Sequence, residues 1–307
     1  TLVIGHSPPI PLWLLVVLGA HVCNAAAFLV DKFLLARTMP KPAVYAFTVG
    51  SLSGLAAILL AFDPTLPTRT QGIVDAIAGV TFILALLLFF TALRRGEASR
   101  IVPFIGGTIP VYTFLLSYLF LHERLAQREL LAFGCLVVAA ALIAREAPGE
   151  RSRNRGAYLP ATASAICFAV SSVLMKVVFD TQPFLSGFAW TRVAVFCAAL
   201  VILLHRPTRQ AIIERRERPR GRMFALFIGG QLAGAVGFLG VNYAIALASV
   251  TLVNALQGVQ YAILFILVIL LGRTFPQLRE RLTRAIVIQK IAAILLIAVG
   301  LSILGRT

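Results

Sequence analysis

The chain has 307 residues, 59% of them hydrophobic, and a mean hydropathy of +0.92. A soluble domain holds roughly 45–50% apolar residues, so this excess needs a non-aqueous solvent. The formal charge of +16 does not point to nucleic acid. The cations lie mostly between, beyond or at the very ends of the apolar runs, with Lys176, Arg192 and Lys290 further inside them, and cations beside membrane helices are the ordinary positive-inside signal.

Apolar runs long enough to cross a hydrocarbon core of roughly 30 Å recur at about 12–34, 42–62, 73–93, 101–121, 127–144, 157–179, 183–204, 223–247, 251–272 and 285–304. They are continuous rather than alternating, and longer than the roughly 10 residues of a barrel strand. The fold class expected is therefore an all-α membrane protein with ten transmembrane helices. The first run has no basic segment before it and reads as a retained helix rather than a signal peptide. Cys23, Cys135, Cys167 and Cys197 all fall within spans and read as free, buried thiols.

The links after the odd-numbered spans are basic, most densely in "HRPTRQAIIERRERPRGR" at 205–222. The opposite set holds only Arg69, Arg124, Arg128 and Arg306. The basic links are expected to be cytoplasmic, with both termini on the other, periplasmic side. The segment 205–222 then serves as a linker or surface helix against anionic lipid.

In chain order, "NAAAFLVDKFLLA" (24–36) resembles "FAVSSVLMKVVFD" (168–180), with Lys32 and Lys176 in equivalent places. "TALRRGEASRIVPFIGG" (91–107) matches "YAIALASVTLVNALQGV" (243–259), which sets Gly106 on Gly258. Two halves of five spans follow: 1–146, a basic linker 147–156, and 157–307. An odd number of spans per half inverts the second copy in the membrane, the plan by which many carriers obtain inward- and outward-open states around a central cavity.

The segment "FFTALRRGEASRIVPFIGGTIPVYTFLLSYLFLHERLAQRELLAFGCLVVAAALIA" (89–144) resembles the drug/metabolite transporter superfamily, in its ten-span EamA-type exporters. Its features are an Ala-Leu span end, a short link, a fourth span with Pro110, the Glu123-Arg124-Leu125 corner, and Gly134 in the fifth span. The second copy departs from this: Pro110 becomes Ala262, and the corner becomes "GRTFPQL" without a glutamate. The resemblance implies export of amino acids and related metabolites across a bacterial inner membrane. The implied partners are a small-molecule substrate and membrane lipid, with proton or substrate exchange as the coupling. No cofactor, metal or nucleic acid is implied, and the assembly is a monomer or homodimer. A coupling carboxylate deep in the first span, as in the small four-span multidrug members, is absent.

Polar residues inside spans face a wet cavity or one another. Span 9 offers Asn254, Gln257, Gln260 and Tyr261 on one helical face. Span 8 has Gln231 and Asn242, span 1 His21 and Asn24, span 6 Ser172 and Lys176, and span 4 Thr108, Tyr112 and Thr113. These stripes read either as a substrate cavity or as interhelical hydrogen bonds. Arg192 lies near the middle of span 7, with no carboxylate expected at its depth because Asp31, Asp75 and Asp180 fall near span ends. It either contacts backbone carbonyls or binds an anionic group, and its neighbour Trp190 either stacks on substrate or packs. His21 reads as a proton relay or as a helix-to-helix bond. Glu123 is expected to pair with Arg124 or Arg128 or to cap span 5.

No catalytic motif occurs, so the chain is not expected to be an enzyme. A lipid-handling protein that flips an anionic lipid carrier is the alternative, and a non-transporting subunit a third reading. Finally, "VPFIGGTIPVYTFLLSYLFLHERL" (102–125) sets helix breakers inside span 4. Pro103 falls in the first turn, where it costs little. Gly106, Gly107 and Pro110 therefore mark an expected bend or gate, with Gly258 as its counterpart.

Overall fold

The computed structural model describes residues 10–35, 42–96, 98–144, 155–213, 221–271 and 284–306. Most of the linker 147–156, the centre of the basic segment 205–222, the "GRTFPQL" corner and both extreme termini lie outside the described residues, as do the side chains of Asp31, Lys32 and Pro103. Among the described residues the secondary structure is helical: α1 Leu12–Leu35, α2 Pro42–Ser53, α3 Arg69–Arg95, α4 Ala98–Leu116, α5 Gln127–Ala144, α6 Tyr158–Thr181, α7 Phe184–Val201, α8 Arg206–Ile213, α9 Arg222–Leu247, α10 Val250–Ala255, α11 Gln257–Leu271 and α12 Arg284–Leu304. Short 3-10 segments extend α2 through Gly54–Ala61 and α7 through Ile202–Leu204.

Local chemistry sets the ends. Thr68 and Gln71 form a reciprocal capping box at the start of α3. The Gln71 Oε1 accepts the Thr68 N–H at 2.8 Å, while the Thr68 hydroxyl accepts the Gln71 N–H at 3.4 Å. Ser249 caps α10 by accepting the Leu252 N–H at 3.1 Å. At α5 it is Glu129, not Glu123, that does this work: its Oε2 accepts the Ala126 N–H at 2.8 Å. The expected role of Glu123 is thereby corrected.

Nine helices, or helices with their 3-10 or π extensions, are long and apolar enough among the described residues to cross a membrane. The tenth expected span corresponds to α5, an apolar helix over Gln127–Ala144 that packs in the same bundle. All four cysteines are free, as expected, but none is fully buried: Cys23, Cys135 and Cys167 are half-buried and Cys197 is exposed on α7.

The helices pair consistently. α1 lies along α9 and α3 along α6; α4 meets α6 and α1 meets α11; α5 packs on α12, α2 on α7, and α4 on α10. If α1 to α5 are matched with α6, α7, α9, the α10–α11 pair and α12, exchanging the halves returns these contacts, whereas the packing of α3 on α7 is not matched by a comparable α2–α9 contact.

Small residues make these approaches close, as expected where van der Waals packing drives association in lipid. Across α3 and α6, Ser164 donates to the Ala85 carbonyl at 2.9 Å and Ser171 to the Ala78 carbonyl at 3.1 Å. On α3, a Cβ at Gly79 would come within 2.7 Å of the Val195 backbone nitrogen of α7. Backbone cannot swing aside, so Gly79→Ala is expected to cost about 1–3 kcal/mol, read as a lower unfolding midpoint in detergent.

In span 4 the α-helix runs continuously from Ala98 to Leu116, through Gly106, Gly107 and Pro110. The irregularity comes later, as a π-helical turn over Ser117–Leu121 that ends at His122 in the left-handed conformation, φ 54°. In the other half the helix does break: α10 stops at Ala255 and α11 restarts at Gln257, one residue before Gly258. The copy without the proline is the interrupted one.

Candidate functional site

Arg192 lies halfway along α7 and is only 3% exposed. Its guanidinium carbon sits 4.7 Å from the ring centre of Phe82 on α3, 4.8 Å from Phe238 on α9 and 5.6 Å from Phe188 on its own helix. Desolvated cation–π contacts contribute about 2 kcal/mol or more, but ring faces offer nothing along the N–H directions. Nε and Nη2 are buried with no hydrogen-bond partner. The backbone-carbonyl arrangement considered for Arg192 is therefore not formed at these two atoms.

The cage belongs to a longer aromatic series. Tyr243, Phe184, Phe188, Phe238, Phe82, Phe168, Phe89, Phe90 and Tyr45 follow one another in ring contact, with centroid separations from 4.2 to 6.4 Å. It runs from the α7 start and α9 end to the α2 start, and Arg192 stands at its middle.

A carboxylate does lie beside this cation's helix, contrary to expectation. Asp75 is 3% exposed. It accepts from the Gln182 amide at 3.1 Å (Oδ1) and 3.3 Å (Oδ2), and its Oδ1 is 3.1 Å from the hydroxyl of Thr191, the residue before Arg192. The helix begins at Arg69 rather than 73, which puts Asp75 in its second turn, facing α7.

A second polar group joins the two halves. His21 Nδ1 of α1 is 3.4 Å from Gln260 Oε1 of α11, and its buried Nε2 has no partner. The Gln257 amide donates to the Tyr261 hydroxyl at 3.4 Å, and that ring lies over Gly106 of α4, in the space a Cβ would need. Asn24 fills the equivalent space over Gly237, next to the cage residue Phe238.

A polar ladder then crosses from α4 to α10. Asn254 donates to the Thr113 hydroxyl at 3.3 Å and Ser117 to the Thr113 carbonyl at 2.7 Å. The Thr251 hydroxyl is 3.3 Å from that of Ser117 and 3.0 Å from Glu123 Oε2. Glu123 thus serves the α4–α10 contact. Because interhelical hydrogen bonds in membranes average about 0.6 kcal/mol, Thr251→Val is expected to destabilise by roughly 1 kcal/mol in denaturant unfolding of the reconstituted protein.

The remaining candidates are placed elsewhere. Lys176 pairs with Asp180 at 3.0 Å, one turn along α6. The Trp190 indole donates to the Thr65 carbonyl at 2.9 Å and holds the loop before α3. Asn242 bonds back to the Phe238 carbonyl at 2.9 Å. Tyr112 packs beside Phe168 in an apolar cluster, Gly258 lies against Ala140 of α5, and Gln231 is half-buried on α9. Lys290 lies 4.0 Å from the Phe265 ring centre. The residues not anticipated are Asp75, Gln182, Thr191 and the three phenylalanines. Their available signal was an acid inside an apolar run with Phe82 seven residues on, which is one helical face.

Residues 11–145, the first half of the chain, match the model of the EamA-like transporter family. No curated protein matches the chain in sequence. A solved crystal structure superposes with a TM-score of 0.67 at 16% identity, covering 93% of this chain and 94% of that one. At that identity the likeness shows the fold. The first half of this chain is thus similar to a transporter family, and nine of its described helices are long and apolar enough to cross a membrane.

Proposed function

We propose that the protein is a secondary transporter that exports amino acids or related carboxylates across the bacterial inner membrane by alternating access. The observation that carries this reading is Arg192: a guanidinium at mid-helix, walled by three rings, with two buried donors unspent. A charge at that depth is expensive without a partner, and a substrate carboxylate supplies one. His21, Asn24, Gln257, Gln260 and Tyr261 line the polar region between the halves and bind the rest of the cargo. The exchange of helix partners between the halves supports two inverted five-helix repeats, and the break between α10 and α11 serves as the hinge beside the site. The basic links face the cytoplasm and both termini the periplasm.

The test is a thermal-shift screen of the detergent-solubilised protein against a metabolite library, since a ligand that binds only the folded state raises apparent stability. Amino acids and monocarboxylates are expected to raise the midpoint, organic cations are not, and Arg192→Gln is expected to remove the shift. A shift that survives in that variant overturns the site. Lipid scrambling without solute flux in proteoliposomes overturns the reading itself.

A further inference from the structure

Thr191 has one hydroxyl hydrogen and two acceptors in reach, the Gly187 carbonyl at 2.9 Å and Asp75 Oδ1 at 3.1 Å. Two arrangements satisfy it. In the first, the hydroxyl donates to an ionised Asp75, and the Gly187 carbonyl keeps its helical bond. In the second, the hydroxyl turns to Gly187, and its oxygen accepts a proton from a neutral Asp75 carboxyl. The Gln182 amide bonds Asp75 in both. The link between α3 and α7 therefore survives gain or loss of a proton, at the cost of one hydroxyl rotation.

The charges around Asp75 are few. On α6, Lys176 is taken by Asp180, and Cys167 lies further along. In the loop before α3, Asp63 is held by the Thr65 hydroxyl at 2.6 Å. Tyr45 of α2 meets Phe90 near the opposite end of α3, and Tyr112 of α4 packs against the apolar cluster that holds Ala92 of that end. On α7 the one cation is Arg192, adjacent in sequence to Thr191 and without an ion pair among the described residues.

We propose that Asp75 is the proton-carrying group of the transport cycle, coupled through α7 to occupancy of Arg192. This rests on the reading of Arg192 as the carboxylate site. When a substrate carboxylate neutralises Arg192, Asp75 holds a proton taken from the aqueous side to which the site is open. When the substrate leaves, the proton leaves with it, and the ionised Asp75, bonded to the residue before Arg192, serves as counter-charge to the guanidinium. One proton and one carboxylate thus bind, cross and dissociate together, and Thr191 and Gln182 act as positioning residues.

The test uses the full-length protein in liposomes with benzoate, a monocarboxylate whose ring suits the cage. Infrared titration should show the carbonyl band of one buried carboxylic acid, absent in Asp75→Asn. Benzoate should extend that band to higher pH in the wild type. Arg192→Met should also extend it, with or without benzoate. Benzoate affinity should weaken about tenfold per pH unit above the titration, as one-to-one linkage requires. It should be independent of pH in Asp75→Asn and keep its slope in Asp75→Glu. Thr191→Val, which keeps the acid but removes the rotating hydroxyl, should shift the band if Asp75→Asn fails to fold.

A band unaltered by Asp75→Asn, a titration unmoved by Arg192→Met, or a pH slope retained in Asp75→Asn would each overturn the proposal. Benzoate binding that persists in Arg192→Met would instead remove the Arg192 site, and the infrared result would stand apart from it.

Discussion

Arg192→Met is expected to make the protein more stable while abolishing carboxylate transport. A charge at the centre of a bilayer costs at least about 2.5 kcal/mol, and the rings of Phe82, Phe188 and Phe238 return about 2 kcal/mol of it or more. The unspent Nε and Nη2 donors add the cost of buried groups deprived of water, about 1–3 kcal/mol. A methionine of similar length loses the cation–π contacts but fills the same apolar cage without any of these costs. The net gain is about 1 kcal/mol, visible as a raised unfolding midpoint, with uptake of labelled carboxylate in proteoliposomes falling at least a hundredfold. Arg192→Lys keeps the charge but loses the planar fork that pairs with a carboxylate, so it should retain the fold and lose most transport. If Arg192→Met instead destabilised by the 3–5 kcal/mol typical of a broken buried ion pair, Arg192 would be a structural member of a network rather than a ligand.

Helix positions were legible in the sequence because hydrocarbon leaves a continuous apolar run few alternatives. The expected run 12–34 becomes Leu12–Leu35, and 285–304 becomes Arg284–Leu304. Arg192 was legible for the same reason, since a charge in such a run stands out. What failed was the reading of individual contacts across helices. Asp75 reads as a span-end residue because the apolar run starts at 73, but about one further polar turn, Arg69–Gly72, extends α3 and carries the acid into the bundle. Gly106 reads as a breaker in one dimension. In three dimensions it is the floor beneath Tyr261, a residue 155 positions later, and no local pattern encodes that contact. The break at Leu256 has no glycine or proline at the break itself, so local composition did not mark it either.

The contact between Gly106 and Tyr261 should therefore behave as a coupled pair. Gly106→Ala places a methyl where the Tyr261 hydroxyl and ring edge now lie, and overpacking of this kind costs about 1–3 kcal/mol. The ring has little room to retreat. Tyr261 is 8% exposed and receives the Gln257 amide. Its neighbour Gln260 is tied to His21, and Gly258 is seated against Ala140. Tyr261→Phe removes the nearest atom but leaves the ring edge in conflict, so it should relieve Gly106→Ala only in part. Tyr261→Leu removes the ring and should relieve it almost entirely. A double-mutant cycle in denaturant unfolding should then give a coupling of about 1–2 kcal/mol, against near zero for sites more than 7–10 Å apart. Additive effects would show that α4 and α11 are not in contact at this point. Because Gly106 belongs to the first half and Tyr261 to the second, Gly106→Ala should also slow transport more than it weakens substrate binding. In the proposed alternating-access cycle one half moves past the other at this contact, so a wedge there should obstruct the motion while leaving the guanidinium in its cage.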